Sequence, residues 1–186
     1  MKSYIIFILA TAYALLPAYT ANMAPVIIQW LNWLPQWNLP IDYGKKILGQ
    51  PILGKGKTWR GLLVGIFVAI VTVGLQKILY LNGILDGGSL LDYSQINFLL
   101  FGLLAGVGAL GGDILKSFIK RRVGINSGAS WPVFDQLDFI LGFFLVTLPM
   151  VYWPQEVFWT GIIITLGLHP VTNIIGYYLR IKKVWW

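Results

Sequence analysis

The sequence predicts an all-α integral membrane protein of five transmembrane helices, with a long cytoplasmic loop between the first two. Of its 186 residues, 57% are hydrophobic and only 11% are charged, and the mean hydropathy is +0.72. A soluble domain of this composition would lack the polar side chains needed to cover its surface. Five apolar segments approach the roughly 20 residues that a helix needs to cross a bilayer.

The five predicted spans are separated by short connections and two longer loops. The spans are residues 4–20, 61–81, 96–112, 133–153 and 157–179. The loops are residues 21–60 and 113–132. The second and third spans are rich in glycine, which permits close helix packing in lipid. Because no repeat, linker or composition change divides the chain, we expect one transmembrane domain over residues 1–186.

The first span has an alternative interpretation as a signal peptide. Lys2 would supply only a weak basic start, and AYTAN at residues 18–22 is a poor cleavage site. We therefore favour a retained helix. A cleaved signal would leave four helices with their loops on the same sides.

Orientation follows from the basic residues. Twelve of the fourteen Lys and Arg residues lie in the two loops and in the tail after residue 179. The positive-inside rule then places the N-terminus outside and the C-terminus in the cytoplasm. The Trp-rich stretch 30–37 suits interfacial anchoring better than stacking on a base.

Three of the seven acidic residues flank the second loop: Asp113, Asp135 and Asp138. If the third helix continues beyond the membrane, one of its faces carries acidic, basic and hydroxyl groups at helical spacing. That face comprises Asp113, Lys116, Ser117, Lys120 and Arg121. Asp135 and Asp138 lie one turn apart at the start of the fourth helix, with Pro132 expected in its first turn. The three carboxylates can therefore meet at the cytoplasmic end.

Carboxylates at the bilayer centre are unfavourable by about 3 kcal/mol each on insertion scales, and by less near its edges. A divalent cation offsets both this term and the repulsion between neighbouring acids. Oxygen ligands suit Mg²⁺, which usually also contacts a substrate phosphate. Adjacent Lys and Arg suit a polyphosphate, so the pattern indicates metal-assisted phosphoryl chemistry. The alternative is that Asp113 and Asp135 merely pair with Arg121 and Lys120 to neutralise charge.

The stretch ILGKGKTWRG at residues 52–61 resembles a phosphate-binding loop only in part. Pro51 stands where the G-x-x-x-x-G-K-[ST] pattern has its first glycine. The remaining features are glycines, basic side chains and a following helix N-terminus, which together can hold an anion. The alternative is a basic stop at the membrane boundary.

His169 precedes Pro170 in the fifth span, and this pair predicts a kink. Asn173 lies one turn further along the same face. For these polar residues we favour an interhelical hydrogen bond over a direct chemical role. The absence of cysteine excludes disulfides and thiolate metal sites.

Two long stretches resemble a known enzyme signature. GGDILKSFIKRR at residues 111–122 and PVFDQLDF at residues 132–139 are similar to the signature of CTP-dependent phosphatidate cytidylyltransferases, the CDP-diacylglycerol synthases. The closer resemblance is to their archaeal branch, the CDP-archaeol synthases, which also carry PIDYGK, ILGKGKTWRG and HPVTNIIGYYL. The resemblance covers most of the chain from Ala21 onward.

This resemblance implies a reaction. CTP and 2,3-bis-O-geranylgeranylglycerol 1-phosphate, an unsaturated archaeal ether lipid, give the CDP-activated lipid and pyrophosphate. The implied partners are CTP, this isoprenoid lipid phosphate and membrane lipids, with no nucleic acid. The implied active site lies on the cytoplasmic face of the cell membrane, with the loop of residues 21–60 as a candidate lid over the nucleotide.

The resemblance also implies roles for individual residues. Asp113, Asp135 and Asp138 hold Mg²⁺, and a second cation is left open. Lys116 and Ser117 complete the catalytic set. The implied substrate-binding residues are Lys57, Thr58, Arg60, Lys120, Arg121 and Asn126.

One departure from the bacterial enzymes concerns residues 135–138, which are DQLD where those enzymes have Asp-Arg-x-Asp. Another cation must take the place of that Arg. The candidates are Arg121, Arg122 and Lys57.

Two other functions are compatible with the residues alone. A small transporter or channel would use intramembrane acids along an ion path, but no charged relay leads from this cluster to the other side. A non-catalytic scaffold would tolerate Asp135→Asn, whereas a metal-dependent enzyme would lose CTP turnover.

Overall fold

The computed structural model describes residues 2–85, 88–182 and 184, which form a helical bundle. Its helices are α1 (Lys2–Ala14), α2 (Leu16–Trp30), α3 (Trp59–Leu81), α4 (Phe98–Arg122), α5 (Phe134–Thr147) and α6 (Gln155–Tyr178). Between α2 and α3, a short 3-10 helix (Pro35–Trp37) precedes a hairpin of β1 (Lys46–Ile47) and β2 (Gln50–Pro51). The all-α prediction is confirmed. Lys183 and the side chain of Lys2, which entered the charge count, lie outside the described residues.

The number of membrane spans is only partly as predicted. Helices α3, α4 and α6 are long and apolar enough to cross a bilayer, and α1 with α2 would form a fourth span as one bent segment. The predicted span 133–153 contains only the 14-residue helix α5. At 1.5 Å per residue this helix is about 21 Å long, shorter than the roughly 30 Å hydrocarbon core. Five spans are therefore not confirmed.

Helix α5 ends at Thr147 because Pro149 cannot donate a backbone hydrogen bond and its ring clashes with the carbonyl four residues earlier. The chain continues through residues 148–154 without regular structure. Trp153 Nε1 donates to Thr147 Oγ1 at 2.9 Å, and its ring packs edge-on against Phe144. Thr147 and Trp153 are buried, whereas Leu148, Pro149, Tyr152 and Pro154 are exposed, so protein covers only one side of this turn.

Helices α1 and α2 form one segment that bends by 50°. Pro17 in the first turn of α2 lacks the N–H that would bond to the carbonyl of Tyr13. That carbonyl instead accepts a hydrogen bond from Gln76 Nε2 of α3 at 2.6 Å. Leu15, at the bend, is fully buried, which favours a retained segment over a cleaved signal.

Two predicted loop boundaries are wrong. Residues 21–30 belong to α2, because the apolar helical pattern runs on to Trp30. Residues 113–122 belong to α4, as the helical spacing of its charged residues suggested. The connection between α2 and α3 is consequently about ten residues shorter than expected.

Glycines bring α4 against its two neighbours. A Cβ atom at Gly102 would lie 2.5 Å from the Cα of Ile70 in α3. On the other side of α4, a Cβ atom at Gly112 would overlap the backbone carbonyl oxygen of Asp138 in α5. Small residues permit such backbone approach in membrane bundles. The second contact places Asp113, the next residue of α4, beside the acids of α5.

We expect Gly112→Ala to force α4 and α5 apart, because the added methyl group meets backbone atoms and not a flexible side chain. Overpacking of this kind typically costs about 1–3 kcal/mol of stability. Thermal unfolding in detergent measures the loss. The matched control is Gly111→Ala, since a Cβ atom at Gly111 meets nothing within 4 Å. Equal melting temperatures for the two variants would contradict this packing.

Asp42, in the connection between α2 and α3, holds the hairpin in place. Its carboxylate accepts hydrogen bonds from the backbone N–H groups of Gly44 at 3.0 Å and Leu53 at 2.8 Å. Burial acts to raise its pKa, but the backbone hydrogen bonds outweigh it and hold the pKa of Asp42 below its ordinary value. A lowered folded-state pKa stabilises the loop at neutral pH, and this contribution is lost as the pH falls through that pKa.

Arg60, buried in the first turn of α3, fixes the other end of the same connection. It donates to the carbonyl oxygen of Trp33 at 2.8 Å and to Asn38 Oδ1 at 3.0 Å. Trp30, Trp33 and Trp37 each expose about half of their surface or more. This exposure favours interfacial anchoring over base stacking for the three tryptophans.

Candidate active site

A cavity of about 680 Å³ lies at one end of the bundle. Its walls come from the C-terminal parts of α2, α4 and α6, the N-terminal parts of α3 and α5, and the loops around residues 53–58 and 127–130. Three acidic and six basic side chains line it: Asp113, Asp135, Asp138, Lys57, Arg60, Lys116, Lys120, Arg121 and Lys182. The excess of positive charge suits an anionic ligand.

The three carboxylates converge on the ammonium group of Lys116. Its Nζ atom lies 3.1 Å from Asp113 Oδ1, 2.9 Å from Asp135 Oδ1 and 2.6 Å from Asp138 Oδ2. Because one atom contacts all three, the carboxylate oxygens lie within a few ångströms of each other and enclose a space of ionic size. The convergence expected from residue spacing is therefore present, with a lysine at its centre.

A tight turn at Val133 directs the two acids of α5 into this space. Val133 has φ +68° and ψ −54°, and the N–H of Phe134 donates to the carbonyl of Pro132 at 2.8 Å. These values describe a γ-turn with positive φ, which is strained, above all for a β-branched residue. Pro132 thus precedes the turn and does not lie in the first turn of α5, as the sequence suggested. Strain of this kind is concentrated at functional sites.

Two further lysines neutralise the carboxylates. Lys57 Nζ donates to Asp113 Oδ2 at 2.6 Å. Lys120 Nζ contacts both oxygens of Asp135, at 3.0 Å and 3.1 Å. The ion pair expected from the charge-neutralising alternative is therefore present between Lys120 and Asp135. For Arg121 the alternative is wrong, since in the described part of the chain this residue forms no ion pair with Asp113.

Three buried side-chain atoms of cavity residues lack hydrogen-bond partners among the described residues: Arg60 Nε, Arg121 Nε and Asp138 Oδ2. Arg121 is only 5% exposed, and its Nε atom donates to no group there. Asp138 Oδ2 accepts no hydrogen bond, so its short contact with Lys116 is an ion pair without hydrogen-bond geometry. An unsatisfied buried polar atom costs about 1–3 kcal/mol. Arg121 Nε can therefore bind an anion whose two oxygens match the guanidinium fork, whereas Asp138 Oδ2 already faces the Lys116 ammonium at 2.6 Å.

Three converging carboxylates are the kind of donor set that a divalent cation with a preference for oxygen ligands requires. Over residues 2–85, 88–182 and 184, no group of three His, Asp or Glu side chains forms a ready metal site. The Lys116 ammonium fills the space between the carboxylates. A divalent cation can occupy that space once the lysine side chain has moved away.

Three other predicted site residues lie in the cavity wall, and two of them already use their polar groups in hydrogen bonds within the protein. Thr58 caps α3, its Oγ1 atom accepting the N–H of Gly61 at 3.2 Å. The guanidinium of Arg60 is bound to the connection between α2 and α3. Ser117 is buried in the wall beside Arg121. Unlike Thr58 and Arg60, Ser117 forms no hydrogen bond that holds the α2–α3 connection or the start of α3 in place.

Asn126 does not line the cavity, and its side chain is exposed. The chain turns at Gly124 and Gly128, which have φ values of +80° and +85°. These turns bring residues 127–130 to the cavity and leave Asn126 on the outside. The structure therefore does not bring Asn126 to the other site residues.

Three residues near the end of the chain belong to the cavity although the sequence did not predict them as site residues. His169, Asn173 and Lys182 line the cavity. Asn173 Nδ2 lies 3.3 Å from His169 Nδ1 within the same helix, so the predicted interhelical hydrogen bond is wrong. The spacing of His169 and Asn173 did signal a shared face. Lys182 lies beyond the helix, where residue spacing carries no signal.

Helices α2 and α6 give the cavity an apolar wall. They contact each other where Tyr19 and Thr165 share a hydrogen bond of 2.8 Å between their hydroxyl oxygens. Closer to their C-termini, both helices line the cavity with apolar side chains, among them Met23, Val26, Ile175 and Leu179. A charged wall and an apolar wall thus face one space, an arrangement suited to an amphiphile with an anionic head.

Comparison with known proteins gives consistent matches over nearly the whole chain. The family model described as "CarS-like: CDP-archaeol synthase" matches residues 4–186. The CDP-archaeol synthase of Methanococcus maripaludis is 36% identical over 186 residues, covering 98% of each chain. That of Methanopyrus kandleri is 38% identical over 175 residues, covering 92% of this chain and 90% of the relative.

A solved structure is also similar. It is described as an intramembrane enzyme for archaeal membrane lipids biosynthesis. It aligns with a TM-score of 0.71 and 32% sequence identity, covering 90% of this chain and 94% of that chain. The helical arrangement described above is thus one that a membrane-embedded enzyme adopts.

Proposed function

Because this chain belongs to the CDP-archaeol synthase family, we propose that it transfers CMP from CTP to the phosphate of 2,3-bis-O-geranylgeranylglycerol 1-phosphate, with Mg²⁺ as cofactor. It is a CTP-dependent cytidylyltransferase of archaeal lipid biosynthesis, embedded in the membrane. The observation that carries the substrate and site assignment is the meeting of three carboxylates and several cations with an apolar wall in one cavity.

Asp113, Asp135 and Asp138 are the proposed Mg²⁺ ligands, and a second cation is left open. Bound there, Mg²⁺ would neutralise phosphate charge and stabilise the pyrophosphate leaving group. The convergence of the three carboxylates on one atom, Lys116 Nζ, supports this assignment. Lys116 must leave the space between the carboxylates, and its long side chain then reaches substrate phosphate oxygens from α4. Lys116 would thus exchange its carboxylate partners for phosphate oxygens of the substrate.

The nucleotide phosphates are assigned to Lys57, Lys120 and Arg121. Lys57 projects from the glycine-rich stretch 52–61, next to the N-terminus of α3, where backbone N–H groups favour anions. The buried guanidinium of Arg121, whose Nε lacks a partner, can form forked hydrogen bonds to phosphate. Among the cations considered as replacements for the Arg of the bacterial enzymes, Arg121 is the one we favour. Ser117 would hydrogen-bond the same phosphates.

In the proposed reaction, a phosphate oxygen of the lipid attacks the α-phosphorus of CTP. The new P–O bond forms as the bond from the α-phosphorus to the bridging oxygen breaks, and pyrophosphate leaves with that electron pair. The lipid phosphate is already ionised near neutral pH, so no strong general base is needed. The barrier lies in bringing two anions together. The lysines and Arg121 lower it by positioning and by neutralising charge.

We assign the cavity end of the bundle to the cytoplasmic face, with the N-terminus outside, the C-terminus inside and residues 133–153 as a fourth of five passes. The basic residues of the connection between α2 and α3, of α4 and of the C-terminal tail support this side under the positive-inside rule. CTP would enter from the cytosol. The isoprenoid chains would lie between the C-terminal parts of α2 and α6.

Purified protein supplied with labelled CTP and Mg²⁺ tests this function directly. We expect CDP-lipid and pyrophosphate with the geranylgeranyl ether lipid phosphate, and no product when EDTA replaces Mg²⁺. Absence of product with both the ether lipid and diacyl phosphatidic acid would overturn the proposed reaction. Product from the diacyl lipid alone would overturn the ether-lipid assignment.

A further inference from the structure

The chain reverses direction directly after α6. Arg180 has a positive φ of 58°, and the N–H groups of Ile181 and Lys182 both donate to the carbonyl of Gly176, at 2.8 Å and 3.0 Å. This left-handed helix end returns the Lys182 side chain along α6. A Cβ atom at Gly176 would lie 3.3 Å from Lys182 Cγ, so the glycine leaves room for the lysine stem.

Lys182 differs from the other lysines of the cavity in its partner. Its Nζ atom donates to Asn173 Oδ1 at 2.6 Å, and no carboxylate among the described residues lies within ion-pairing distance of it. Lys57, Lys116 and Lys120 are each paired with an aspartate. Burial lowers the pKa of Lys182, as expected for an ammonium whose charge is not balanced locally. The group is therefore ready to accept an anion.

Asn173 is held in the orientation that this contact needs. Its Nδ2 atom lies 3.3 Å from His169 Nδ1, one helical turn earlier. An amide group that donates to the imidazole presents its oxygen on the opposite side, where Lys182 lies. His169 in turn stacks on Phe139 of α5, with ring centroids 6.4 Å apart. The lysine is thus positioned by a chain of contacts that leads back to α5.

The position of Lys182 indicates which anion it receives. It follows α6 directly, beside the apolar residues Ile175 and Leu179, which remain half exposed. Met23 and Val26 of α2 line the same cavity. A phosphate at Lys182 therefore has apolar surface beside it for attached chains. The triphosphate of a nucleotide carries no apolar chains that would cover such a surface.

We propose that Lys182, positioned by Asn173, binds the phosphate monoester of the acceptor lipid, separately from the lysines and Arg121 that bind the triphosphate. This subsite rests on the proposed function for the identity of the lipid. Independently of that reaction, the chemistry that the subsite recognises is a phosphate monoester with apolar chains attached. A second anion site also explains how one cavity brings two phosphates together without placing both on the same cations.

Steady-state kinetics of Lys182→Met tests the subsite. We expect the KM for the lipid phosphate to rise about tenfold to a hundredfold, the loss expected for one charge-assisted hydrogen bond, with the KM for CTP changed less than about twofold. Lys182→Arg should recover part of the affinity. The matched control is Arg180→Met, which removes a nearby charge that does not line the cavity. A rise in the KM for CTP with an unchanged KM for lipid would overturn the proposal.

A binding measurement that needs no turnover separates this proposal from the proposed function. Calorimetry in detergent compares a short-chain dialkylglycerol phosphate with the corresponding dialkylglycerol, which has no phosphate. We expect Lys182→Met to weaken binding of the phosphate and to leave binding of the alcohol unchanged, with a melting temperature equal to that of Arg180→Met. If the wild type binds the phosphate through Lys182 but makes no product, the reaction fails and the subsite stands. Equal phosphate affinities of Lys182→Met and wild type would refute the subsite.

Discussion

Asp138→Asn is expected to reduce kcat at least about a hundredfold, the usual effect of removing one group that stabilises charge in the transition state. The amide has the size of the carboxylate, so the contact between α4 and α5 is kept. Asp138 is the least exposed of the three acids, with 5% of its side chain accessible. Its Oδ1 atom accepts the N–H of Phe139, and its Oδ2 atom forms the ion pair with Lys116. Because the amide weakens that ion pair, thermal unfolding in detergent is needed to separate loss of a negative ligand from loss of folding.

The readout for Asp138→Asn is the rate of labelled CDP-lipid formation across a range of Mg²⁺ concentrations. Any residual activity should require more Mg²⁺ than the wild type does. Glu156→Gln is the matched control, because Glu156 is an exposed acid in the first turn of α6, away from the cavity. Full activity of Asp138→Asn at the Mg²⁺ concentration that half-saturates the wild type would show that this carboxylate holds no catalytic cation.

Lys116→Met is expected to separate metal binding from catalysis. Turnover should fall by a factor of about a hundred or more, because a cation that contacts the phosphates is lost. Mg²⁺ affinity should rise at least about tenfold, since unit charges about 4 Å apart interact by about 4 kcal/mol at an effective dielectric constant of 20. In the wild type, the ammonium competes with Mg²⁺ for the same three carboxylates.

Calorimetric titration with Mg²⁺, in the absence of nucleotide, measures this affinity without relying on activity. Lys46→Met serves as the control for a lost positive charge, because Lys46 is exposed in the hairpin outside the cavity. Lys116→Met should strengthen Mg²⁺ binding, Asp138→Asn should weaken it, and Lys46→Met should leave it unchanged. A Lys116→Met variant that binds Mg²⁺ no more tightly than the wild type would exclude competition between the lysine and the metal.

The sequence predicted the long helices and the clustering of most of the charged residues because both depend on local spacing. The continuation of α4 to Arg122 and the shared face of Asp113, Lys116 and Lys120 follow from helical periodicity alone. The spacing of Asp135 and Asp138 placed both on one face of α5. The acidic residues that spacing predicted separately on α4 and α5 are joined in the structure through Lys116.

Other features of the fold and the site depend on contacts between segments that are distant in the chain. The spacing of residues within one helix does not predict such contacts. The bend between α1 and α2 is stabilised by Gln76, more than sixty residues after Tyr13. The overlap of Gly112 with the backbone of Asp138 sets the distance between the two halves of the site. Lys182 reaches the cavity only because the chain reverses at Arg180. Pro149, by contrast, was a visible signal that the fourth span would be interrupted.

Crystals grown with Mn²⁺ in place of Mg²⁺ and a non-hydrolysable CTP analogue would locate the metal by its anomalous scattering. We predict an ion about 2.1 Å from oxygens of Asp113, Asp135 and Asp138, with the Lys116 ammonium moved from between them to a phosphate oxygen. An ion bound elsewhere, with Lys116 still enclosed by the three carboxylates in the presence of the nucleotide, would contradict the account.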